Sequence, residues 1–119
     1  IYMITLWPRP DDFVVLDVTN INKSDVKKLS HASEMAWDGL CRRDIEVFSE
    51  GFRNSFEAQV RMFPKMVNDR INEVIDTYRD TALAWKLAGA GGGGYLILIS
   101  ERSIPNAIKI KVRVKDFIF

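Results

Sequence analysis

The chain of 119 residues is long enough for one domain with a buried core, and its 47% apolar and 28% charged residues are those of a globular protein. Seventeen basic and sixteen acidic residues leave a net charge of +1, so no global electrostatic pull toward nucleic acid or an anionic membrane is expected. The single cysteine excludes an internal disulfide and a multi-cysteine metal site and fits a cytoplasmic location, and no apolar run reaches the ~20 residues of a membrane span.

Residues 1–7 (IYMITLW) are β-branched and aromatic and predict a strand. No signal peptide is visible. Because the sequence opens on Ile1, inside this apolar stretch, it is expected to be a piece of a longer chain. Pro8, Pro10, Asp11 and Asp12 predict a turn, and residues 13–17 (FVVLD) a second short strand that completes a hairpin.

Asn22 or Ser24 is placed to cap a first helix with Asp25 in its opening turn. Val26, Leu29, Ser33, Ala36, Trp37 and Leu40 form its apolar stripe. Asp44 caps a second helix, in which Ile45, Phe48, Phe52, Phe56, Val60 and Phe63 recur at helical spacing and are expected in the core. Gly39 and Gly51 each weaken their helix by about 1 kcal/mol relative to Ala. Pro64 breaks the second helix, and a third follows with Val67, Ile71, Val74, Ile75 and Tyr78 on its apolar side.

Residues 82–88 (ALAWKLA) and 95–100 (YLILIS) predict an antiparallel strand pair around a glycine run. Residues 107–114 (AIKIKVRV) predict an edge strand. Ile108, Ile110, Val112 and Val114 form its buried face, and Lys109, Lys111, Arg113 and Lys115 its wet face. Helices in the middle and strands at both ends give an α+β domain, helices packed on one face of an antiparallel sheet of four to five strands.

The run itself, Gly89, Ala90, Gly91, Gly92, Gly93 and Gly94, fits G-x-G-x-x-G in its letters. A dinucleotide fingerprint requires a helix after the glycines, whereas a strand follows here, and no Lys-Ser/Thr pair closes a P-loop. A tight hairpin needs one or two glycines, not five. So dense a run implies close approach of something to the backbone: a phosphate held by successive N–H groups, or another loop of the protein.

The stretch Lys86, Leu87, Gly89, Ala90, Gly91, Gly92, Gly93, Gly94, with Tyr95 next and an apolar strand after it, resembles the third motif of the GHMP kinase superfamily, K-L-[ST]-G-A-G-G-G-G-[FC]. The helices and strands around it resemble that family's C-terminal domain, which is ferredoxin-like α+β. The segments WDGL and FRNSFEAQ are more similar to its sugar-directed members, the heptose-phosphate kinase, fucokinase and galactokinase group. The resemblance implies an enzyme that transfers the γ-phosphoryl group of ATP, with Mg²⁺, to a sugar or sugar phosphate. It implies that Gly89 to Gly94 and Lys86 contact the cofactor and that Arg53 or Gln59 contacts substrate or the other domain. The family's main phosphate loop and catalytic acid belong to an N-terminal domain not found here. No catalytic residue is therefore assigned to this chain, which alone is expected to be inactive and to self-associate through the uncovered interface.

Two departures accompany the resemblance. Ala88 stands where the family has Ser or Thr, so no hydroxyl contact is expected there. Only residues 101–108 (ERSIPNAI) separate the last two strands, too few for the family's helix. Lys86 is equally readable as a solvated strand residue, and Arg53 and Gln59 as solvent-facing. Lone His31 is expected at the surface rather than on a metal, and Cys41 as a small core residue. The rival to the kinase is a stand-alone ferredoxin-like domain that binds a small anion or partner loop without catalysis.

Overall fold

The computed structural model describes residues 1–111, which leaves Val112, Arg113, Val114 and Lys115 of the last expected strand outside the described residues. The elements run β1 (Tyr2–Thr5), α1 (Lys23–Cys41), α2 (Ile45–Met62), α3 (Asp69–Tyr78), β2 (Ala84–Leu87), β3 (Tyr95–Ile99) and β4 (Ile108–Lys109). The caps follow the local chemistry. The side chains of Asn22, Asp44 and Asn68 accept backbone N–H bonds at the starts of α1, α2 and α3.

The four strands form one antiparallel sheet in the order β2-β3-β1-β4. β1 and β2 are each antiparallel to β3 and so parallel to one another, with the three helices spanning the crossover, a split β-α-β unit. This α+β architecture is consistent with a ferredoxin-like fold. No helix lies between β3 and β4; instead Ile104 inserts into the core, 4% exposed, and Ala107 packs beside it. The short connection thus fills with single side chains the place a helix would cover.

The core joins one sheet face (Tyr2, Leu87, Leu96, Leu98) to Ile71 and Ile75 of α3 and Phe56 of α2. α2 also lies beside β2, where Arg53 Nη1 donates to the Leu83 carbonyl and Lys86 Nζ to Gln59 Oε1. α1 packs on α2 at very short range. A Cβ built on Gly39 would stand 2.4 Å from the Phe48 nitrogen, and one on Gly51 2.4 Å from the Ala36 nitrogen. The two helix-weakening glycines are therefore where the helices touch backbone to backbone.

That contact also corrects the stripe read from α1. Its buried positions are Asp25, Ala32 and Gly39, seven residues apart, while Trp37 is 67% exposed and Val26 and Leu40 are exposed as well. So close an approach selects small side chains and turns the large ones aside. Asp25 is held by Asn22 Nδ2 (2.8 Å) and Arg61 Nε (2.8 Å), which ties α1 to α2. The hydrogen bond from Asn22, with Arg61 beside it, keeps this carboxyl below its usual pKa.

Three further expectations fail. Residues 13–17 are not a strand, because β3 and β4 already occupy both edges of β1; Phe13 and Val14 are irregular and Val15–Asp17 make a 3-10 turn. Cys41 is exposed rather than core, since α1 ends at the surface there. Ile108, expected on the buried face, is 52% exposed, on a two-residue strand at the sheet edge.

Candidate functional site

The glycine run joins β2 to β3, and Gly89, Gly91, Gly92 and Gly94 all have positive φ. Three of the glycines are bare because other parts of the chain press on them. A Cβ would meet the Met66 carbonyl oxygen at 2.5 Å from Gly91, the Phe13 ring at 2.5 Å from Gly92, and the Trp7 carbonyl oxygen at 2.5 Å from Gly93. Gly89 is different: it is exposed, and its Cβ would find only Arg9 Nη2, at 3.4 Å.

Hydrogen bonds pin the same contacts. The Gly92 N–H donates to Met66 O and the Gly94 N–H to Trp7 O, each at 2.8 Å. On the carbonyl side, Arg9 Nε donates to Gly91 O (2.6 Å), Arg9 Nη2 to Ala88 O (3.1 Å) and Trp7 Nε1 to Gly92 O (3.3 Å). Arg70 of α3 stacks on Trp7, its guanidinium carbon 3.7 Å from the ring centre. Two arginines thus lie against the loop or the indole that holds it, and the carbonyls are largely used. The N–H groups of Gly89, Ala90, Gly91 and Gly93 have no internal acceptor among the described residues.

Gly89 and Ala90 also wall a cleft of about 200 Å³ with Gln59, between apolar sides made by Val15, Leu16, Phe63 and Met66. Behind Gln59 lies Lys86. Its ammonium donates to Gln59 Oε1 and sits 5.8 Å from the centre of the Phe56 ring. No carboxylate pairs with it among the described residues. Burial in this setting pulls its pKa from 10.5 down to about 8.

Of the residues singled out from sequence, Lys86, Gln59, Gly89 and Ala90 therefore meet at one place. Gly91, Gly92 and Gly93 are engaged in internal packing, and Gly94 lies under Arg9. Arg53 is not at the cleft; it braces the start of β2 through Leu83 O. His31 is exposed on α1. Arg9, Trp7 and Arg70 escape the sequence reading. The signal for Arg9 was its place between Pro8 and Pro10, which marks a stiff segment rather than the arm of a hairpin.

No protein-family model matches the chain, and no curated protein matches it. No helix among the described residues is long and apolar enough to cross a membrane.

Proposed function

We propose that this chain is the C-terminal domain of a GHMP-type small-molecule kinase, acting in the cytoplasm on a sugar or sugar phosphate. The observation that carries the reading is the glycine run in the motif that resembles the family's, folded as a strand-loop-strand with unused N–H groups beside a cleft. Exposed Val14, Leu16, Val18 and Ile21 run past the cleft and offer an apolar surface for the N-terminal domain.

The cleft suits a single phosphoryl group, not a whole nucleotide, because ligand pockets usually exceed ~300 Å³. ATP would sit mainly on the other domain. Among the described residues no three His, Cys, Asp or Glu side chains gather at one point, so Mg²⁺ would be held by the nucleotide and that domain. Phosphoryl transfer depends on positioning and charge stabilisation. In this reading the chain supplies N–H donors and the positive charges of Arg9 and Lys86, and closes the site against water.

The test is a coupled ATP-turnover assay on the full-length protein against free and phosphorylated sugars. Turnover is expected with at least one, and Ala90→Asp, which sets a negative charge in the cleft, should lower kcat/KM about tenfold or more. Turnover with none of them, or full activity in Ala90→Asp, would refute the reading.

A further inference from the structure

We propose that the outer face of α1 pairs with the same face of a second copy of this chain, antiparallel and across a two-fold axis. Val26, Leu29, Ser33, Trp37 and Leu40 recur at spacings of three and four and form one stripe of the helix. The residues that α1 turns to α2 are others, Asp25, Ala32 and Gly39. The stripe is therefore left outside, with Val26 46%, Trp37 67% and Leu40 43% exposed. At its middle, Ser33 Oγ donates to Leu29 O of its own helix (2.9 Å), so the one polar side chain of the stripe can be covered without losing its partner.

The charges along the border of the stripe away from α2 say what fits it. Helical periodicity places Lys23, Lys27, Glu34 and Asp38 there, all exposed, basic in the first half and acidic in the second. Reversed against itself, this row is complementary. Lys23 and Asp38 have the same midpoint as Lys27 and Glu34, between residues 30 and 31. One antiparallel register thus sets both basic residues of each copy beside the acidic residues of the other, as a self-complementary two-fold contact requires. The same register brings Leu29 over the second copy's Ser33 and Val26 beside its Trp37. A parallel pairing would instead set like charges side by side. Among the described residues, Lys23, Lys27 and Glu34 have no ion pair within the chain, and Asp38 meets Arg42 of its own helix at 2.5 Å. A single helix about 28 Å long makes a small interface, so the dimer should dissociate on dilution.

The inference does not rest on the kinase reading. Sedimentation of the 119-residue chain over a dilution series should show monomer and dimer in exchange. Lys27→Glu and Glu34→Lys, each alone, set like charges together twice per dimer and should weaken it about tenfold or more. Mixed in equal amounts, these two variants should pair with each other at close to the parental strength, because every reversed charge then meets its opposite. Trp37→Glu should weaken pairing by a similar factor. All three side chains are exposed, so melting temperatures close to the parent's keep a loss of pairing distinct from a loss of fold. A chain that is monomeric at every soluble concentration gives the face to a different partner and overturns the inference. A dimer that Trp37→Glu or either charge reversal leaves within twofold of the parent overturns it too, as does a mixture that pairs no better than its components.

Discussion

Replacing Gly91 with Ala probes whether the glycine run is bare for the protein's own sake. Gly91 has φ +75°, and left-handed backbone costs an L-residue about 1–2 kcal/mol. The new methyl would also lie 2.5 Å from the Met66 carbonyl oxygen and 2.8 Å from its Cα. Backbone atoms cannot rotate away, so the loop must lift off Met66, and overpacking of this kind typically adds about 1–3 kcal/mol. The neighbouring Gly92 N–H bond to the same carbonyl, 2.8 Å, is strained with it. A total loss of about 2–5 kcal/mol follows. Gly89→Ala is the internal control. Its φ of +67° carries the same backbone penalty, but its methyl would meet nothing closer than Arg9 Nη2 at 3.4 Å, so only about 1–2 kcal/mol should be lost. Urea unfolding of both variants, read from the fluorescence of the chain's three tryptophans, measures the difference with the slope m as a check on two-state behaviour. If Gly91→Ala is no less stable than Gly89→Ala to within about 0.5 kcal/mol, the contact with Met66 does not exist and the reasoning fails.

Other outcomes are equally open to measurement. Gly51→Ala should lower the melting temperature, because a methyl 2.4 Å from the Ala36 nitrogen pushes α1 off α2, and the ~1 kcal/mol gained in helix propensity does not offset overpacking; a rise would refute the close contact. The Lys86 pKa is depressed in the folded chain, so the unfolded chain holds the extra proton between pH about 8 and 10.5 and stability should rise with pH across that window. The rise has a ceiling of about 3 kcal/mol, and solvent reaching the ammonium should reduce it to about 1–2 kcal/mol; Lys86→Met should abolish it in pH-resolved urea melts. Asp25 gives a dependence of the same sign in an acid window, since its folded pKa is lowered as well. Its stabilising contribution is complete above the unfolded pKa near 3.8 and is lost as pH falls through the lower folded value, and Arg61→Met should flatten that acid limb without removing it, since Asn22 remains.

The motif and its neighbouring helix drew attention to residues that lie close together in the fold. Gln59, Gly89 and Ala90 were each singled out and line one cleft, and Lys86, singled out as well, meets Gln59 behind it. What could not be read was the division of labour within the glycine run. Gly91, Gly92 and Gly93 are bare for Met66, Phe13 and Trp7, contacts between residues far apart in the chain. Arg53 shares α2 with Gln59, yet it sits six positions earlier and reaches the opposite end of β2. Arg9 was hidden because a proline-rich segment after a strand has the composition of a hairpin turn whether or not the chain returns as a strand.

The amino-acid sequence by itself determined the three helices, the caps of the first two, the strand pair around the glycines and the α+β class, because these depend on local propensity and on periodicity within one segment. Tertiary structure alone decided which face of α1 is buried, where residues 13–17 go, and which glycines touch the protein and which face a cleft. Those outcomes depend on what stands opposite. Two helices in backbone contact bury Ala32 and Gly39 and leave Trp37 outside, and a sheet with both edges of β1 taken has no place for another strand.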